Sequence, residues 1–215
     1  MPGQLLHLQA MLLARQPTGS DSFEQVTLFS EAEGLLHGLV RRSRATATPA
    51  RRRPVARGQT GLDLFDEAEF WLESSNQGRT WFVKEHRLVT RRTGIGRTYE
   101  TLKAAAAVAA LVRVNPVPAD SLAPVAALLR QSLAALDQGA RPDLVWFKAL
   151  FCFARDEGLP VKQQWWQQLP AARKEAAAGI LNQPIGGQDP AAPAVAQLTR
   201  HLEDWLRAET EIRLG

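Results

Sequence analysis

The sequence predicts an α+β protein, with a five-stranded antiparallel β-barrel in residues 1–95 and an α-helical domain in residues 96–215. Three observations predict it. Short apolar runs broken by turn-rich pieces fill the first half. From about Gly96 the apolar spacing changes to a helical period. The segments between the early runs are too short for crossover helices, which asks for antiparallel pairing.

The expected strands are Gln4–Arg15, Phe23–Ser30, Leu35–Arg41, Leu62–Glu73 and Thr80–Arg92, separated by pieces such as QPTGSDS, EAEG and ESSNQGR. Alternation is clearest in TWFVKEHRLV. There Trp81, Val83 and Glu85 are expected on one face and Phe82, Lys84 and His86 on the other. Five strands with one long interruption suit a small Greek-key barrel of the OB type, an architecture that often binds nucleic acid.

In the second half, TYETLKAAAAVAALVRV is alanine-rich and helical and stops before NPVPAD. Asp120 or Ser121 is placed to cap SLAPVAALLRQSLAALDQG, which ends on Gly139. Pro142 sits in the first turn of PDLVWFKALFCFARDEG, closed by Gly158. Leu144, Val145, Phe147, Leu150, Phe151 and Phe153 make that helix apolar on nearly every face, so it belongs at the centre of a bundle. PAARKEAAAGIL and PAVAQLTRHLEDWLRAETEIRL supply further helices, enough to bury a core of their own.

Composition narrows the function classes. The single cysteine, Cys152, excludes an internal disulfide and a cysteine-based zinc site, and fits a reducing compartment. QLLHLQAMLLAR is too short and too polar to span a membrane, so a cytoplasmic protein is expected. His7, His37, His86 and His201 are scattered, with no HExxH pair. TGIGRT (Thr93–Thr98) lacks the third glycine of a dinucleotide site and the Gly-Lys-Ser/Thr ending of a phosphate loop, and reads as a hinge between the domains. No cofactor, no metal and no catalytic constellation are expected; the sequence does not read as an enzyme.

The charge pattern says more. Net charge is only +4, but Arg41 to Arg57 holds seven arginines, and no acid occurs between Glu33 and Asp63. Arg41, Arg42, Arg44, Arg51, Arg52, Arg53 and Arg57 therefore sit in or beside a long loop joining two expected strands. A second basic group, Arg79, Lys84, Arg87, Arg91, Arg92 and Arg97, comes later in the fifth strand and hinge, opposed along the chain only by Glu85. If both groups border one groove, they neutralise phosphates, with Trp71, Trp81 and Phe82 available to stack bases. Sequence readout is not expected, because phosphate contacts position a strand without reading it.

These pieces resemble the RecO family of bacterial recombination and DNA-repair proteins. The matching features are a turn with Pro17, Gly19 and Asp21, a strand with Leu28 and Phe29, then Glu33–Gly34, and the run Arg41, Arg42, Ser43, Arg44. The helical half is similar as well, in its alanine-rich helix and in a Phe/Leu-rich helix ending in Asp-Glu-Gly-Leu-Pro. The resemblance implies a non-catalytic, nucleoid-associated mediator. Such a protein binds single- and double-stranded DNA through its barrel and promotes annealing. With RecR, it helps RecA displace single-stranded DNA-binding protein, whose acidic, Phe-ended tail docks on the helical domain. Many members carry a four-cysteine zinc module near the position of GLPVKQQWWQQLP. Here Trp165 and Trp166 stand there instead, either as an apolar plug or as an exposed partner site. Two other classes fit the residues: an RNA-binding barrel, and an adaptor whose arginine loop is a disordered tether.

Overall fold

The computed structural model describes residues 3–42, 61–74 and 76–215. The chain divides into two compact units, Met1–Arg91 and Arg92–Gly215. Among the described residues, no helix is long and apolar enough to cross a membrane.

The first unit holds five strands: β1 Gln4–Pro17, β2 Phe23–Ser30, β3 Gly34–Arg41, β4 Glu67–Ser74 and β5 Trp81–Thr90. They close into a ring in the order β1-β2-β3-β5-β4. Inward-facing Leu8, Ala10, Leu12, Val26, Leu28, Ala68, Phe70 and Leu72 fill it. Gly34 turns the chain from β2 into β3 at φ 69°, a left-handed conformation that glycine adopts without the steric cost of a Cβ.

Three expectations need correction. The sheet is not wholly antiparallel: β3 and β5 run parallel, paired at Gly38–Trp81 and Leu39–Phe82. The cause is parity. Strand direction alternates across every other contact of the ring, and alternation cannot close on an odd number of strands. Second, the run Leu62–Glu73 does not begin as a strand. Asp63 N donates to Asp66 Oδ2 at 2.8 Å and Phe65 takes φ 69°, so a turn occupies this stretch and β4 starts only at Glu67. Third, the alternation in β5 is broken. Leu72 pairs with Val83 and Trp71 with Glu85, leaving Lys84 as a bulge. One inserted residue reverses the facing of every later residue in the strand. Val83 therefore shares the inner face with His86 and Leu88, while Glu85 points outward with Arg87.

The second unit is helical: α1 Tyr99–Val114, α2 Leu122–Asp137, α3 Pro142–Asp156, α4 Trp165–Gln168, α5 Ala171–Asn182 and α6 Ala192–Glu209. Thr98 caps α1 by accepting from Thr101 N. Neither Asp120 nor Ser121 caps α2 through its side chain; a 3-10 turn, Ala119–Ser121, leads into that helix instead. As the sequence predicts, α3 is central, packing against α1, α2, α5 and α6 with Leu144, Phe147, Leu150 and Phe153 buried. Gly139 and Gly158, at φ 85° and 76°, lie just past the ends of α2 and α3. Lys148 projects from α3 to the end of α5, where its Nζ donates to the carbonyls of Ile180, Leu181 and Gln183. Thr93–Thr98 lies wholly within this unit. Gly94 N donates to Asp137 Oδ1 at 2.6 Å, and a Cβ at Gly94 would lie 2.0 Å from Asp137 O, so the glycine is locked against α2.

Candidate nucleic-acid interface

The site grows out of the end of β3. Arg41 is its last residue and Arg42 comes next, tied down by its backbone N–H to Ser22 O at 2.9 Å. Ser22 belongs to the turn between β1 and β2, itself braced by Thr18 Oγ1 donating to Phe23 O at 2.7 Å. Both guanidinium groups are exposed, and neither has an ion-pair partner among the described residues. They stand between a small hollow lined by Asp21 and Ser22 and a larger cleft in the ring.

The larger cleft exists because β3 and β5 stay together for only two residue pairs. Beyond them, Val40, Arg41 and Arg42 line one side and Val83, Lys84 and His86 the other. Leu12, Val26 and Phe70 form a buried apolar floor. The opening measures about 780 Å³. Arg15 and Glu24, also in the lining, pair at 2.8 Å, and Arg15 Nη2 further holds the carbonyl of Leu62.

The second basic group does not share one acid-free face with the first. Lys84 pairs with Glu73 at 2.6 Å, Arg87 with Glu69 at 2.6 Å, and Arg91 with the buried Asp66 at 3.1 Å. Arg91 also donates to Gly61 O. Arg92 is buried at 6% exposure. The acids come from β4 and the turn before it, placed opposite these cations by the strand register. A contact between Glu69 and the Arg87 guanidinium holds that carboxyl below the usual carboxylate range and pushes Arg87 upward.

The aromatic candidates separate too. Trp71 lies on the outer face of β4, where His7 stacks on it at 4.5 Å and 13°. Trp81 is half-buried against the core of the ring. Phe82 meets Phe23 edge-on at 5.8 Å, close to the β1–β2 turn. Arg44, Arg51, Arg52, Arg53 and Arg57 lie outside the described residues.

Sequence reasoning missed Arg15 and His86 as lining residues. His86 carried no motif, and its inward facing depends on the Lys84 bulge. Arg15 sits after an irregularity between Leu12 and Ala14 in the β1–β2 register. The alternating acids of EAEFWLES were the available signal that β4 would neutralise its neighbour.

In the second unit, Trp165 is fully buried, its ring 6.3 Å from that of Phe147 and 5.8 Å from that of Phe151. Trp166 instead lines a cleft of about 350 Å³ with Phe151, Leu181, Arg155 and Lys162. Burial pushes the Cys152 thiol in the same wall upward.

The sequence matches no protein-family model and no curated protein.

Proposed function

We propose that this chain is a non-catalytic nucleic-acid-binding protein that holds single-stranded DNA against its five-stranded ring, in the manner of a recombination mediator. One observation carries the reading. Arg41 and Arg42 stand exposed and without acidic partners among the described residues, beside an open cleft and the β1–β2 turn. The chain then continues through Arg44, Arg51, Arg52, Arg53 and Arg57 without meeting an acid. A cationic track of this kind binds phosphates by counterion release.

The ring order and the partly open β3–β5 edge support an OB-type barrel. Such barrels bind along strands 2 and 3 and the adjoining loops, which is the side on which Arg41 and Arg42 lie. Lys84 and Arg87 are lesser contributors, since a phosphate must compete with Glu73 and Glu69 for them. Annealing is a natural consequence if two strands share the cationic surface, which lowers their mutual repulsion.

The resemblance to RecO proteins supplies the expected partners: RecR, RecA indirectly, and the acidic Phe-ended tail of single-stranded DNA-binding protein. The cleft of Phe151, Trp166 and Leu181, edged by Lys162, has the chemistry for that tail: apolar walls for a phenyl ring and an ammonium for a carboxylate, while Arg155 on the same edge is already held by Asp156 at 2.7 Å. The reading also places the protein in the cytoplasm, at the nucleoid.

The test is a triple substitution of Arg51, Arg52 and Arg53 by Ala. Each phosphate contact on a single strand contributes about 0.7 to the slope of log affinity against log salt, so the slope should fall by roughly 2. An unchanged slope would show that these arginines do not touch the backbone.

A further inference from the structure

We propose that the cleft between β3 and β5 receives one unstacked base of a bound single strand, with that nucleotide's phosphate at Arg41 and Arg42. The inference rests on the nucleic-acid reading above and names what the same site takes in.

A ring that closed fully would carry its β3–β5 pairing to the end of β3. Here pairing stops at Leu39–Phe82, while β5 continues to Thr90 against β4 alone. Parting the two edges opens a gap above the apolar interior of the ring. Leu12, Val26 and Phe70 are at most 1% exposed, yet all three line the cleft, so they form its bottom rather than its lip. Val40 and Val83, both half-buried, make the opposite walls. His86 adds an imidazole to the β5 wall, its ring 6.4 Å from that of Phe70. A volume of about 780 Å³ lies within the roughly 300–1,000 Å³ of small-ligand sites, and the lining is mixed, with Arg15, Glu24, Arg41, Arg42, Lys84 and His86 standing around an apolar floor.

Charge decides the ligand class. Arg15 is matched by Glu24 and Lys84 by Glu73, so those pairs leave little net attraction. Arg41 and Arg42 remain unmatched among the described residues, and both lie on the lip, not on the floor. The site thus asks for a flat, largely apolar group joined within a few ångströms to an anion. A nucleotide in a single strand has that construction, and guanidinium forks suit its phosphate. Trp71 is no rival platform, because His7 already covers one of its faces.

The experiment compares two oligonucleotides of equal length and equal phosphate count, one of thymidines and one of abasic tetrahydrofuran residues. Binding is read by fluorescence anisotropy with the full chain. The wild-type protein should favour the thymidine strand about tenfold, the scale of stacking one base. Val40→Phe and Val83→Phe fill the cleft from its two walls. Either should bring thymidine affinity down to the abasic level while leaving the salt slope unchanged.

Equal affinity of the wild type for both strands would overturn the inference and leave DNA binding standing. A preference that survives in a variant still folded by circular dichroism would overturn it too. Failure to bind either strand would instead remove the nucleic-acid reading, and this inference with it. A third readout needs no variant: 2-aminopurine in a thymidine strand should brighten on binding to the wild type and become shielded from acrylamide. Unchanged emission and unchanged quenching would contradict the proposal.

Discussion

A guanidinium group is available to a phosphate only when no carboxylate already holds it. By that criterion Arg42 and Arg87, both exposed, differ sharply. Arg42 has only its backbone tied, whereas Arg87 gives its side chain to Glu69 at 2.6 Å. Arg42→Ala should therefore lower the single-strand salt slope by about 0.7, the contribution of one phosphate. Arg87→Ala should leave the slope unchanged, because removing it frees a carboxylate as well as deleting a cation. Paired salt titrations of the two variants check this, and equal losses would contradict it. The same contrast explains why a count of cations along the chain overstated the site. Lys84, Arg87 and Arg91 face acids that are remote in sequence and adjacent in the sheet.

At the scale of elements, Lys148 shows how helices in the second unit are tied together. Its ammonium, carried on α3, closes carbonyls that the end of α5 leaves open. Hydrogen bonds to a charged group contribute about 1.5–3 kcal/mol, so Lys148→Met should cost that much in urea unfolding. A loss below about 0.5 kcal/mol, the range of ordinary surface substitutions, would show that the cap adds nothing. Nothing in the local sequence of α3 announced this link, since Lys148 and Gln183 are far apart in the chain.

The features legible in the sequence were periodic or local. The helical bundle was legible because α3 is apolar around most of its circumference and because Pro142, Gly139 and Gly158 mark boundaries. The five strands were legible from their apolar runs. Their parallel closure was legible too, since five strands cannot alternate around a ring, but pairwise reasoning overlooked it. The Lys84 bulge was not legible. WFVKEHRLV alternates well enough to suggest an uninterrupted strand, and only the partner strand reveals the extra residue. That single insertion carries His86 into the cleft and Glu85 out of it, so the make-up of the candidate site depended on a feature set by pairing.

For the whole molecule, charge and fold combine in one way in the first unit. The ring supplies a fixed end to β3, and the arginine-rich stretch that starts there carries a block of positive charge with no acid in sequence. Such a surface should attract any single strand, with affinity governed by salt and little affected by base order. The alternatives, an RNA-binding barrel and a protein adaptor, differ from this at the level of the ligand rather than the fold. Competition with an RNA strand of equal length separates the first. Binding of a protein partner without any nucleic-acid binding would identify the second.

The most direct measurement is fluorescence anisotropy of a labelled single-stranded DNA oligonucleotide with the full chain, across a salt series. Tight binding at low salt is expected, falling linearly on a log–log plot with a slope fitting several phosphate contacts. Absence of binding at low salt, or binding indifferent to salt, would contradict the nucleic-acid reading.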